Sequence, residues 1–219
     1  MNDIKIGILI APQFGDMSLM RDRWMECEDL GADVVYTCDH FFPMTFASEA
    51  ATGTPCKQPD GKNFEATTIQ AAMAATTSRV EIGCIVHANS YRNPNLMADI
   101  ARTIDHISGG RFILGMGSGY QQRDYEEYGY EFGTTASRLH DLDRDLPIIK
   151  ARFEKLNPKP LRKIPLMVAS MGEKIGMRIV AKHADMWQVY GPKDIIIHIA
   201  NTYGDHATQN VEYAGPGAA

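Results

Sequence analysis

The stretch Thr103–Tyr120, TIDHISGGRFILGMGSGY, constrains the fold more than any other part of the chain. It passes from a helix end, through a Gly109-Gly110 break, into a short apolar strand and then alternating glycines. Gly109 and Gly110 supply the positive-φ positions that stop a helix. Arg111–Gly115 has the brief, non-alternating apolar run of a strand buried on both faces. Gly115, Gly117 and Gly119 follow at its carboxyl end, where absent side chains let a ligand approach the backbone. In parallel α/β folds that end of the strands is where ligands sit.

The same order of helix, break, strand and loop recurs along the chain. Strands are expected at Ile4–Ile10, Asp33–Cys38, Val80–Val86, Arg111–Gly115, Ile164–Ala169 and Asp185–Tyr190. Between them, helical spacing predicts Leu19–Leu30 capped by Ser18, Glu65–Thr77, a helix opened by Asn93 and Pro94, Ala136–Leu156, Glu173–His183 and Lys193–Tyr203, the last with a strand as the alternative because Ile195-Ile196-Ile197 is β-branched. The first should bury Met20, Trp24 and Cys27, and the second Ile69, Ala72, Met73 and Thr76. The third carries Leu96, Ile100, Ile104 and Ile107 on one stripe. Pro147 should kink the Ala136–Leu156 helix or divide it in two. Strands alternating with helices mean a parallel sheet wrapped by helices. A closed barrel needs eight units and about 250 residues. Six strands also satisfy an open doubly wound sheet. Period and composition leave both open.

With 219 residues, 44% of them hydrophobic, the chain can bury one large core. A net charge of −5 gives no electrostatic footprint for nucleic acid. No apolar run approaches the roughly 18 residues of a membrane span, and MNDIKIGILI runs straight into a strand without signal-peptide architecture. Cys27, Cys38, Cys56 and Cys84 lack metal or redox spacing and read as reduced thiols of a cytoplasmic protein. Pro43–Phe64 is the longest irregular stretch, the length of a lid or binding loop. Residues 1–204 read as a single domain, and 205–219 as a frayed Gly-, Pro- and Ala-rich tail.

Several motifs go further than periodicity. Asp39-His40-Phe41 follows the second strand, Tyr91-Arg92-Asn93-Pro94 precedes the third helix, and Thr103–Arg111 leads into Gly115-Met116-Gly117-Ser118-Gly119. Pro165–Ala169 then runs into Gly172-Glu173, and Ala184-Asp185-Met186-Trp187 follows. In this order the motifs resemble the luciferase-like monooxygenase superfamily, and within it the branch that uses the deazaflavin coenzyme F-420. The resemblance spans roughly residues 4 to 200.

The resemblance implies a (β/α)8 TIM-barrel type fold, here shortened to about six units at the C-terminus. It implies an oxidoreductase that moves a hydride between deazaflavin and a small organic substrate, with FMN and monooxygenation as the alternative. A third reading is a shortened, non-catalytic flavin-binding or structural remnant of the fold. By resemblance, His40 is an acid/base beside the hydride-carrying carbon and Asp39 a polar contact to the ring. Val86, His87 and Ala88 would prop the ring from behind, with a non-proline cis peptide within Cys84–Ala88. Gly117, Ser118 and Gly119 would line the coenzyme's polar chain, within reach of Tyr120 and Gln121. Ser170, Met171 and Gly172, between a strand and a helix N-terminus, are placed for a phosphate. No residues have metal spacing, and a homodimer is expected.

Overall fold

The computed structural model describes residues 5–44 and 60–190. Seven short strands occur in chain order: β1 (Gly7–Leu9), β2 (Val34–Thr37), β3 (Glu81–Cys84), β4 (His87–Ala88), β5 (Leu114–Gly117), β6 (Leu166–Ala169) and β7 (Met186–Gln188). β3 falls inside the expected Val80–Val86 strand, and β4 begins just past its expected end, after the cis peptide Ile85–Val86, which lies within the span expected for one. β1, β2 and β3 pair in parallel, as do β4, β5, β6 and β7. A parallel bridge between Ile82 and Phe112 joins the two sets. The spatial order therefore follows the chain order throughout. A doubly wound sheet reverses its order at a switch point. Sequential parallel order is the progression of a barrel, and six strand positions are occupied among the described residues.

Side chains divide between the two faces of this sheet. Val34, Tyr36, Ile113, Met167 and Met186 fill the barrel interior. Tyr36 sits between neighbouring strands at glycines: a Cβ on Gly7 or Gly83 would lie 2.6 or 2.7 Å from its ring. Val35, Ile82, Leu114, Met116 and Val168 face the helices instead.

The helices are α1 (Met17–Asp29), α2 (Ala66–Thr76), α3 (Pro94–Ser108), α4 (Gln122–Tyr128), α5 (Thr135–Phe153) and α6 (Gly176–His183). α1 buries Met20, Trp24 and Cys27 as expected, but it starts after Asp16, so Ser18 lies inside its first turn rather than capping it. α2 is capped by Glu65, whose carboxylate accepts from the amides of Thr67 and Thr68. Thr76 is exposed there, although its hydroxyl accepts from Trp24 Nε1 at 2.9 Å.

Asn93 caps α3 through its side chain, and Gly109 ends it at φ 68°. The expected apolar stripe of α3 is rotated, however. Leu96 and Ile107 are exposed, while Met97, Ala98, Ala101, Ile104, Asp105 and Ser108 are buried. Small residues let α3 approach its neighbours closely, and buried Asp105 accepts from the amide of Leu161 at 2.8 Å. Close packing outweighs the exposure of two apolar side chains and a buried carboxylate bonded through one oxygen only.

α5 is one continuous helix despite Pro147, anchored by a capping box between Thr134 and Ser137 and by buried Leu142, Leu146 and Ile149. Burying each of those three contributes about 2 kcal/mol, comparable to the roughly 3 kcal/mol cost of an internal proline. α6 begins at Gly176, three residues later than expected. α4 lies between the expected strand Arg111–Gly115 and the expected helix Ala136–Leu156, where the sequence assigns no element. The Lys193–Tyr203 helix, the tail 205–219 and most of the Pro43–Phe64 loop lie outside the described residues.

Arg111, the centre of the SGGR motif, ties these layers together. Its guanidinium donates to the carbonyls of Ala74, Thr77, Val80 and Ser108 and to the Thr77 hydroxyl. One side chain thus satisfies the carboxyl end of α2, the entry to β3 and the turn before β5.

Candidate functional site

Because every strand is parallel, the segments after β2, β4, β5 and β6 emerge at one end of the barrel. Asp39 and His40 follow β2 directly, and their side chains diverge.

Asp39 is buried and fully engaged. Its Oδ2 accepts from Arg92 Nη1 at 2.6 Å and from the Ala88 amide at 3.1 Å, and its Oδ1 accepts from Arg92 Nη2 at 2.9 Å. Arg92 also donates to the Glu65 carboxylate. Burial alone would raise the Asp39 carboxyl; His87 and Arg92 outweigh it and hold the group well below the usual carboxylate range. Glu65 is likewise lowered, to about 2, because the hydroxyls and amides of Thr67 and Thr68 outweigh its burial. This network joins β2, β4 and the starts of α2 and α3. The geometry makes Asp39 a fixing point for Ala88 and Arg92.

His87 is enclosed. It stands in register with Met116, on the helix-facing side of the sheet. Its Nδ1 lies 3.5 Å from Asp39 Oδ2, and neither ring nitrogen makes a hydrogen bond. Val86 lies on the opposite face and packs with the barrel interior. A Cβ on Gly117 would meet Val86 Cγ2 at 2.6 Å and Ala169 Cβ at 3.6 Å. One on Gly115 would lie 2.1 Å from the Cys84 carbonyl oxygen. Gly115 and Gly117 belong to β5 rather than following it, and their missing side chains make room for the β3–β4 bend.

His40 is only partly buried and faces the strand ends. Its Nδ1 lies 2.8 Å from Oδ2 of Asp124, a fully buried carboxylate of α4. Asp124 also accepts from the Phe41 amide at 3.1 Å and the Tyr91 hydroxyl at 3.1 Å. The second ring nitrogen of His40 makes no bond to a described residue. Exposed Tyr120 meets the imidazole edge-on, with ring centroids 5.5 Å apart.

Asp124 is the residue that pattern reading missed. A signal existed: Gln122 with Glu126 and Arg123 with Glu127 form i,i+4 pairs that mark one outward face of a helix. Asp124 and Tyr125, left between them, turn inward. Aromatic packing holds α4 in place. Phe41 stacks on Tyr128 with centroids 3.8 Å apart, and Tyr91 and Tyr130 pack alongside.

The Ser118–Gly119 loop is held from behind. Tyr125 Oη donates to the Ser118 carbonyl at 3.1 Å, and Arg138 Nε donates to the Gly119 carbonyl at 3.1 Å. Gly119 has φ 73°, and a Cβ there would sit 2.0 Å from Tyr125 Oη. Among the described residues, the amides of Ser118 and Gly119 donate to no protein acceptor. Ser170 is drawn inward: its hydroxyl accepts from the Gly172 amide at 3.2 Å and fills the space beside Gly176. Met171 and Gly172 are exposed on the loop before α6 rather than at the helix N-terminus itself. Trp187 packs in the core and donates from Nε1 to the Ser170 carbonyl.

A cavity of about 510 Å³ opens elsewhere, between the segment after β4 and the start of α5. None of His40, Ser118, Gly119, Tyr120 or Ser170 lines it. Its Asn89 and Arg144 are paired with Asp145.

A model of the luciferase-like monooxygenase family matches residues 15–212. Pyrimidine monooxygenase RutA of Escherichia coli K12 is 33% identical over 212 residues, covering 86% of this chain and 54% of that protein. Among solved structures, an F-420-dependent secondary alcohol dehydrogenase in complex with an F-420–acetone adduct has a TM-score of 0.81 at 18% identity, covering 97% of this chain and 68% of that one. The oxygenating constituent of 3,6-diketocamphane monooxygenase from Pseudomonas putida, in complex with FMN, has a TM-score of 0.71 at 12% identity, covering 97% and 66%. The chain spans about half the length of the curated relatives it matches.

Proposed function

This chain belongs to the luciferase-like monooxygenase family, and we propose that it is an oxidoreductase that moves a hydride between a deazaflavin of the coenzyme F-420 type and a small organic substrate. The observation that carries this reading is His40. It stands at the strand ends with one ring nitrogen held by a buried carboxylate and the other, among the described residues, unbonded. That arrangement suits proton exchange next to a hydride transfer.

The donor set fits such a coenzyme. Its ring would rest on the Val86, Gly117 and Ala169 floor of the barrel end. The unused amides of Ser118 and Gly119 would meet its polar chain, and the exposed Met171–Gly172 loop would reach its phosphate. When bound, the coenzyme supplies the hydride chemistry; the protein binds and orients it. FMN-dependent oxygenation is the second reading, favoured by the identity to RutA. A homodimer acting on a small molecule completes the proposal.

The test is titration of the purified chain with coenzyme F-420 and, separately, with FMN, following fluorescence and mass in solution together. Saturable micromolar binding of the deazaflavin alone, on a dimer, is expected. His40→Ala should then spoil turnover more than binding. Binding of FMN alone moves the assignment to the oxygenase. Binding of neither by the folded chain leaves a non-catalytic remnant.

A further inference from the structure

We propose that Asp124 is a positioning residue that locks His40 in the Nδ1–H tautomer and so presents Nε2 as the proton acceptor at the strand ends. The inference deepens the preceding reading and rests on it only for what Nε2 acts upon.

The donors around Asp124 carry the inference. The Phe41 backbone N–H can only donate, and it occupies Oδ1 at 3.1 Å. The Tyr91 hydroxyl lies 3.1 Å from Oδ2. Burial, followed by the nearby Asp124 charge, pushes that phenol well above its usual range, so it stays a donor. With a donor on each oxygen, the buried carboxylate is an acceptor, and His40 Nδ1 at 2.8 Å must bring the proton. The second ring nitrogen then carries the lone pair. When Nε2 takes a proton from a hydroxyl or water at the mouth, the imidazole becomes a cation with N–H on both nitrogens. The Asp124 carboxylate faces that charge. When Nε2 returns the proton, the neutral Nδ1–H tautomer is restored.

Asp124 is held as firmly as it holds. Tyr91 and Tyr125 pack edge-to-face, and Tyr91 also accepts from Tyr130 Oη at its carbonyl at 3.0 Å. Among the described residues, Tyr120 is the other titratable group packed against the imidazole. Arg92 and His87 are engaged around Asp39 instead.

The experiment is nitrogen-15 NMR of the full chain labelled at histidine, with His40→Gln identifying the His40 signals. Above the titration of the imidazole, the wild type should show a protonated Nδ1 and an unprotonated Nε2. Asp124→Asn, which can turn an amide N–H toward Nδ1, should move the proton to Nε2. It should cut turnover at least tenfold while coenzyme affinity changes less than threefold, and Asp124→Glu should restore part of the tautomer preference. A wild-type Nε2–H signature, needing no variant, overturns the inference, and so does an Asn variant that keeps Nδ1–H. Coenzyme titration is read separately: a wild type with the Nδ1–H signature that binds neither coenzyme overturns the functional reading and leaves Asp124 as the tautomer lock.

Discussion

Replacing Asp39 by asparagine probes the junction beneath the site. The asparagine keeps the shape but removes the charge that faces Arg92 at 2.6 and 2.9 Å. Its amide group also sets N–H against N–H at one of those contacts. Breaking a buried ion pair by removing one partner costs about 3–5 kcal/mol. Glu65 still receives Arg92 in the variant, which places the expected loss near the lower end, about 3 kcal/mol. With a urea slope of about 3 kcal/mol/M for a chain of this size, the midpoint should fall by about 1 M at pH 7 with the slope unchanged. The pH dependence carries a sign. The folded Asp39 carboxyl lies well below its ordinary value, because His87 and Arg92 outweigh burial. Its stabilisation is therefore complete above the unfolded pKa of about 3.9 and is lost as pH falls through the folded value. The gap between wild type and Asp39→Asn should be constant from pH 7 to about pH 5 and narrow below about pH 4. A loss under about 1 kcal/mol, or a gap that stays constant at acid pH, would refute the view of Asp39 as an ionised anchor.

Gly119→Ala should destabilise by more than about 1 kcal/mol, since φ is 73° and the new Cβ would meet Tyr125 Oη at 2.0 Å; Tyr125→Phe in the same chain should recover part of the loss in thermal melts. Alone, Tyr125→Phe should cost about 1 kcal/mol and weaken coenzyme binding by loosening Ser118. Arg111→Met, which strips donors from four carbonyls, should cost about 3 kcal/mol and raise hydrogen exchange at the end of α2. Thr134→Ala should cost about 1 kcal/mol by opening the α5 capping box, seen as a lower urea midpoint without a change in the near-ultraviolet signal of the site.

Local stereochemistry was legible in the chain itself. Gly109 ends α3, Asn93 and Pro94 open it, and Met20, Trp24 and Cys27 face inward, because each depends on residues within a turn or two. The repeated strand–helix order also determined a parallel sheet, and family-like motifs pointed to the cis peptide found at Ile85–Val86. Tertiary structure decided the rest. Barrel progression over a doubly wound sheet rests on which strands pair, including the Ile82–Phe112 bridge. The buried face of α3 was chosen by close packing, which local hydrophobicity does not encode. Pro147 stays within one helix because the α5 core offsets its cost. Asp39 and His40 are adjacent in sequence, yet one closes on Arg92 and the other on Asp124, a residue 84 positions away. Residue types supplied an imidazole and carboxylates; only the folded chain determined which carboxylate holds the imidazole, because a hydrogen bond is set by distance and direction in space rather than by spacing along the backbone.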